Sequence, residues 1–183
     1  MIEVAIRVLD LDLEDPTVLE TLEASMGVGM VEPHDEYAVV PFFVNEESAQ
    51  AEVAAFVRRF RAALPHAEVE GLDSDLVNHT EIAGRVGVSR EAARLWAKEA
   101  AFPIPVSSVG PKGEKVYEWA DVAHWLGATG RDPEAPGGLP TSAQRVRLAA
   151  AVLGASTESL VVQSTLDSRA AQGDSTSAVI SST

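Results

Sequence analysis

The sequence predicts an α+β protein made of two folded parts and a flexible C-terminal tail. Three observations carry this prediction. Residues 1–72 alternate short β-patterned runs with helix-patterned runs. Residues 77–127 switch to short helices followed by a glycine-containing hairpin pattern. From Gly127 to Pro140 the chain carries four glycines and three prolines, and beyond Gly154 it is rich in Ser, Thr, Ala and Gln without aromatics. The first of these compositions marks a linker and the second marks disorder.

The elements of residues 1–74 follow in order. Ile2, Val4, Ile6 and Val8 alternate with Glu3, Ala5 and Arg7, the period of a half-buried strand. Asp15-Pro16 supplies an N-cap and a proline at the first helical position, and Val18, Leu19, Leu22 and Met26 then fall at helical spacing. Gly27–Glu32 reads as a second strand, and Pro33-His34-Asp35-Glu36 as a turn. Tyr37–Val44 is β-rich, with Pro41 marking an edge or a bulge. Asn45 caps a helix over 46–64 whose apolar stripe is Val53, Phe56, Val57, Phe60 and Leu64, and Pro65 ends it. His66–Leu72 gives a last strand. The order β-α-β-β-α-β is the split βαβ, or ferredoxin-like, arrangement. Such a domain is expected to dimerise, or to take a small molecule or a protein partner; fold alone does not choose.

Residues 77–127 carry the pattern that points to a function. Thr80 is expected to cap a short helix, with Ile82, Ala83 and Val86 facing inward. Gly87 sits where a positive φ is needed, Val88 fills the corner and Ser89 caps the next helix. Ala92, Leu95 and Trp96 are then expected to pack inward, which leaves Arg90, Arg94 and Lys98 on one stripe at four-residue spacing. This is the spacing of a helix-turn-helix. Ser89, Arg90 and Ala93 lie at the end of the second helix that meets base edges in a major groove. Arginine pairs with guanine or neutralises phosphate, and Glu91 suits the helix N-terminus or a cytosine amine. Phe102-Pro103-Ile104-Pro105-Val106, a glycine-rich turn and Val116-Tyr117-Glu118-Trp119 read as a β wing, with Lys112 and Lys115 placed for phosphate. Ala120–Leu126 begins a closing helix anchored by Val122, Trp125 and Leu126.

Residues 77–126 resemble the winged helix-turn-helix of the MerR and excisionase-like (AlpA-like) DNA-binding proteins. The resemblance rests on Glu81-Ile82-Ala83, Gly87-Val88-Ser89, Phe102-Pro103-Ile104-Pro105 and Val116-Tyr117-Glu118-Trp119-Ala120-Asp121-Val122 with Trp125. It implies that Ser89, Arg90, Ala93 and Arg94 are groove residues and that Lys112 and Lys115 are wing residues. With Thr80 and Lys98 these make the expected interface with double-stranded DNA. The long dimerisation helix of MerR proteins is absent. The function so implied is sequence-specific DNA binding, as a transcriptional regulator and a homodimer. An excisionase-like DNA-bending factor and a protein-interaction module with an acidic first domain are the alternatives.

The remaining segment, 128–183, reads as a linker, a helix over 140–153 with Val146, Leu148, Ala149 and Val152 apolar, and a disordered end.

Composition bounds this reading. With 46% hydrophobic and 23% charged residues the chain is ordinary for a globular protein. The absence of cysteine removes disulfides, thiolate metal sites and cysteine nucleophiles. No apolar run approaches the roughly 18–20 residues needed to cross a bilayer, and Met1-Ile2-Glu3 does not open a signal peptide, so a cytoplasmic location and no membrane partner are expected. His34, His66, His79 and His124 have no metal spacing, and no nucleophile elbow or phosphate-cradling glycine loop occurs. No catalytic residue, metal or cofactor is expected. The net charge is −14, with 17 acidic and 4 basic residues over 1–76 and six of each over 77–126. Salt confines the acidic field to about 8–10 Å, so it does not forbid local contact with DNA.

Overall fold

A computed structural model describes residues 1–28, 30–132, 136 and 138–157. It is a mixed α+β structure with antiparallel sheets. Strand β1 (Ile2–Leu9) buries its even residues, as its alternation requires. Helix α1 (Pro16–Glu20) starts at Asp15, whose carboxylate accepts from the Thr17 N–H at 2.8 Å, and continues as a π-helical turn over Thr21–Ser25. Leu22 is buried there, but Leu19 is exposed rather than part of the apolar face. Strand β2 is only Glu32–Pro33, shorter and later than the expected 27–32. Strand β3 (Ala38–Val44) leads through a 3-10 turn (Glu46–Ser48), capped by Asn45, into α2 (Ala49–Ala63) and then β4 (Glu68–Leu72).

The sheet order is β2-β3-β1-β4. Ile2, Val4 and Ile6 pair with Val44, Phe42 and Val40, so one face of the sheet is a continuous apolar layer under Val53, Phe56, Val57 and Phe60 of α2. Phe42 and Phe56 stack at 3.8 Å. Pro41 is not on an edge strand, since β3 lies inside the sheet. The register explains how it is tolerated. The Ala5 carbonyl accepts from Asp73 on the β4 side, so Ala5 and the opposing Pro41 form a non-hydrogen-bonded pair. The nitrogen of Pro41 faces the side where β2 pairs only with Val39 and Ala38. The register shift falls elsewhere, opposite Arg7 and Val8 of β1, where Glu70 is the extra residue of β4.

A second unit begins at β5 (Leu76–Val77), a strand too short to show in the sequence. Helices α3 (His79–Val86) and α4 (Arg90–Trp96) follow, then β6 (Ser107–Val109), β7 (Glu114–Glu118) and α5 (Trp119–Thr129). The order of this small sheet is β5-β7-β6. Val77, Ile82, Ala83, Ala93, Phe102, Tyr117, Val122, Trp125 and Leu126 form its own core.

The sequence treated the segment after Gly127 as a tail carrying one helix; the structure revises this. Residues 142–157 form helix α6, which runs past Gly154. Thr141 and Gln144 cap its start reciprocally: the Gln144 side chain accepts from the Thr141 N–H at 2.7 Å, and Thr141 Oγ1 accepts from the Gln144 N–H at 3.4 Å. Its Leu148, Val152 and Ala155 are buried in the first core with residues of α2, while Val146, another of its apolar residues, is 73% exposed. The expected disordered end, from residue 158, lies outside the described residues.

Between the two units the segment Asp73-Ser74-Asp75 is held by three arginines. Arg7 of β1 binds Asp73 at 3.0 Å, and Arg85 of α3 clamps Asp75 in a bidentate pair at 2.6 and 2.8 Å. Arg145 of α6 donates to the Asp73 carbonyl and to Ser74 Oγ, both at 2.7 Å, and lies 3.5 Å from the buried Glu118 carboxylate. Arg85 also covers the Trp119 ring at 4.7 Å. These charge-assisted bonds brace the segment that joins the two units, together with the Trp119 N–H donating to the Asp75 carbonyl at 2.8 Å.

Candidate nucleic-acid interface

The site is built from local backbone chemistry. Asn78, not Thr80, caps α3: its side-chain oxygen accepts from the Thr80 and Glu81 N–H groups at 2.8 and 3.1 Å, and Glu81 accepts from the Asn78 N–H at 2.7 Å. Thr80 is instead an exposed first-turn residue. Asparagine wins because the residue just outside the helix must be extended, and Asn78 has ψ 177°. Gly87 closes α3 at φ 72°, and Val88 donates to the Ala83 carbonyl at 3.0 Å. Ser89 Oγ then accepts from the Ala92 N–H at 3.1 Å and launches α4.

The left-handed backbone at Gly87 carries a direct prediction. Gly87→Ala should cost about 1–2 kcal/mol, because an L side chain strains at that φ although its Cβ would meet no atom. Gly84→Ala, inside α3 and equally open, should instead gain about 0.5–1 kcal/mol by relieving glycine's helix penalty. Urea denaturation of the two variants should move in opposite directions.

The inward stripe of α4 is rotated by one residue from the sequence expectation. Ala93, expected to meet a groove, is 0% exposed and packs in the core; it offers no surface to a ligand. Leu95, expected to be inward, is 51% exposed. Ala93, Trp96 and Ala97 supply the buried side. Two small residues, Ala83 of α3 and Ala93 of α4, are buried in the core that the two helices share. The outward face of α4 therefore carries Glu91, Arg94 and Leu95, with Arg90 on the flank toward the hairpin.

The hairpin is set by Gly110 and Gly113, with φ of 68° and 61° and a Gly113-to-Gly110 backbone bond of 3.1 Å. Phe102 braces it from below, edge-on to Tyr117 at 5.2 Å and to Trp125 at 4.8 Å. Lys112 is exposed at the turn and Lys115 on β7. Arg90, 65% exposed at its side chain, reaches Glu114 of β7 at 3.2 Å. Arg94, 53% exposed, pairs with Glu91 one turn back through two bonds of 3.0 and 2.8 Å. Those bonds hold the Glu91 carboxyl below its ordinary range. Lys98 is exposed in the turn after α4, beyond the end of the helix. Of the expected residues, Ser89, Arg90 and Arg94 are exposed on α4 or at its cap, and Lys112 and Lys115 are exposed on the hairpin that Arg90 reaches through Glu114; Thr80 and Lys98 lie outside α4, and Ala93 is withdrawn.

His79 was not singled out by sequence. It lies half-buried at the start of α3 with Nε2 3.3 Å from the Tyr117 hydroxyl. Burial pushes its pKa down; Glu114 opposes this, while Arg90, Lys115 and Arg94 push it further down. Those charges therefore converge on it. Because the folded pKa is below the usual 6.5, the stability associated with neutral His79 is intact above about 6.5 and is lost as pH falls through the lowered value. His79→Gln should lose less stability than the parent between pH 7.5 and pH 5, as measured by chemical denaturation at both.

Elsewhere, a cleft of about 700 Å³ separates the open face of the larger sheet from Arg85 and Trp119. Its arginines are the three hinge struts already paired with Asp73, Asp75, Ser74 and Glu118, so it is a braced junction. Among the described residues no group of His, Asp and Glu is arranged to hold a metal ion, and no helix is long and apolar enough to cross a membrane.

No family model, curated protein or solved structure matches the chain.

Proposed function

We propose that residues 77–127 are a winged helix-turn-helix that binds double-stranded DNA sequence-specifically, and that the protein is a transcriptional regulator. The observation that carries the reading is the placement of α4. Arg90 and Arg94 are solvent-exposed, and Arg90 reaches Glu114 at the start of β7, a strand that follows the turn carrying the exposed Lys112 and that itself bears the exposed Lys115. An α-helix of this kind enters a major groove, and lysines behind it fix register on phosphate. Leu95 adds an apolar contact suited to a thymine methyl group. The order Glu81-Ile82-Ala83, Gly87-Val88-Ser89 and Phe102-Pro103-Ile104-Pro105 supports a MerR or excisionase-like module. The antiparallel order β2-β3-β1-β4, with α1 and α2 between its strands in sequence, supports a ferredoxin-like reading of residues 1–74, and that domain is the proposed dimerisation surface.

One observation favours a second reading. Leu95, Ile104, Val106 and Val109 are all exposed apolar residues on α4, the hairpin and the segment joining them, which suits a protein partner. Selection from a randomised duplex library, followed by anisotropy titration at low and moderate salt, separates the two. Enrichment of a site is the expected result; equally flat titrations of wild type and Arg94→Ala would leave the protein-partner reading in its place.

A further inference from the structure

We infer that Glu91 and Glu114 are specificity residues which mask the arginines of α4 and suppress indiscriminate attraction to phosphate. This rests on the DNA-binding reading and names a control within the same surface.

The charge layout motivates it. Residues 77–126 carry six acidic and six basic side chains, so this module has no net pull on a polyanion. Both arginines of α4 are already engaged, Arg90 with Glu114 at 3.2 Å and Arg94 with Glu91 at 2.8 Å. Glu114 neighbours Lys115 on β7 and pairs across the hairpin with Val109. A phosphate approaching Arg90 therefore meets a carboxylate as well. Glu91 stands one turn before Arg94 on the outward face of α4, at the end that would enter the groove first.

The pairs are also easily exchanged. Arg90, Arg94 and Glu91 are more than half exposed and Glu114 about a third, and ion pairs so open to solvent are weak. A guanine edge offers Arg94 two acceptors in the bidentate geometry that Glu91 now occupies with two bonds. Glu91, once released, can accept from a cytosine amine. A random phosphate offers no such exchange and leaves the carboxylate facing like charge. The acids thus penalise wrong sites more than the right one, which is how specificity is raised by a repulsive element.

The test compares the full chain with Glu91→Gln/Glu114→Gln on a random-sequence duplex and on the selected duplex. Glutamine keeps the volume and hydrogen-bonding reach of glutamate while removing the charge. On random duplex at low salt the variant should bind about ten-fold more tightly, and its slope of log K against log salt should steepen by about 1–2, one for each cation freed. On the selected duplex the gain should be smaller, so the specificity ratio falls. Glu20→Gln/Glu47→Gln, two exposed acids of the first unit, removes the same net charge elsewhere and should leave both quantities unchanged. An unchanged random-duplex affinity and slope in Glu91→Gln/Glu114→Gln, while wild type binds and Arg94→Ala does not, would overturn the masking role alone. So would an equal gain from the Glu20 and Glu47 control, since net charge then suffices. Absence of binding by every variant at low salt would take down the DNA reading and the masking role together. Circular dichroism melting of each variant confirms that folding is retained.

Discussion

Arg90→Ala/Arg94→Ala is expected to weaken binding to a selected duplex by a hundred-fold or more while leaving the fold intact. Each arginine–base or arginine–phosphate contact is worth about 1–3 kcal/mol, so two lost contacts reach that range. The structural cost is small. Alanine is the best helix former, the Ser89 cap does not involve either side chain, and the buried side of α4 is Ala93, Trp96 and Ala97. Losing the Arg94–Glu91 pair costs the helix little, because an ion pair fully open to solvent is weak. Lys112→Ala/Lys115→Ala serves as the comparison: it should weaken binding uniformly across sequences and lower the salt slope by about 2, because lysine at the hairpin fixes position and not sequence. Anisotropy titrations across salt, with melting temperatures alongside, check both. Full affinity in the doubly substituted arginine variant would mean that α4 does not face the duplex.

Leu148→Ala should destabilise the protein by about 2–5 kcal/mol, the usual cost of emptying a fully buried leucine site. The residue sits in a segment that composition assigns to a tail, so the result discriminates sharply. Its side chain is buried with Val152 and Ala155 against the core formed by β1, β3 and α2. Val146→Ala, two residues away on the exposed side of α6, should change stability by no more than about 0.5 kcal/mol. Urea denaturation of both variants measures the contrast, and equal, small effects would detach α6 from the first core. Because Arg145 of the same helix also binds the Asp73-Ser74 hinge, loosening α6 should also weaken the clamp between the two units.

Much of the local structure was legible in the sequence because its causes are local. Alternation in Ile2–Val8 dictates which face of β1 is buried. Asp15-Pro16, Asn45, Ser89 and Gly87 start and stop elements through backbone groups within four residues of themselves. The chain order β-α-β-β-α-β and the positions of α3, α4 and the hairpin follow from such signals. The sequence expectations failed where local signals allow equivalent solutions, as at the α3 cap and the inward stripe of α4. Ala92-Leu95-Trp96 and Ala93-Trp96-Ala97 both have helical spacing, and only the crossing with α3 selects the second and exposes Leu95. Thr80 and Asn78 can both cap, and the backbone entering from β5 makes Asn78 the extended one.

Long-range partners were decided by the tertiary structure alone. Nothing local ties Arg90 to Glu114, Arg85 to Asp75, or Leu148 to a core built from residues before 70. A side-chain period states that a face must be buried; it does not state against what. The apolar stripe of α6 needed a partner, and the first sheet supplied the one within reach after the chain returned through Arg145 and the hinge. The sequence thus determined the elements and the cationic character of α4, through propensity, period and capping. The packing decided which acid holds Arg90, because charge pairing depends on distance in space.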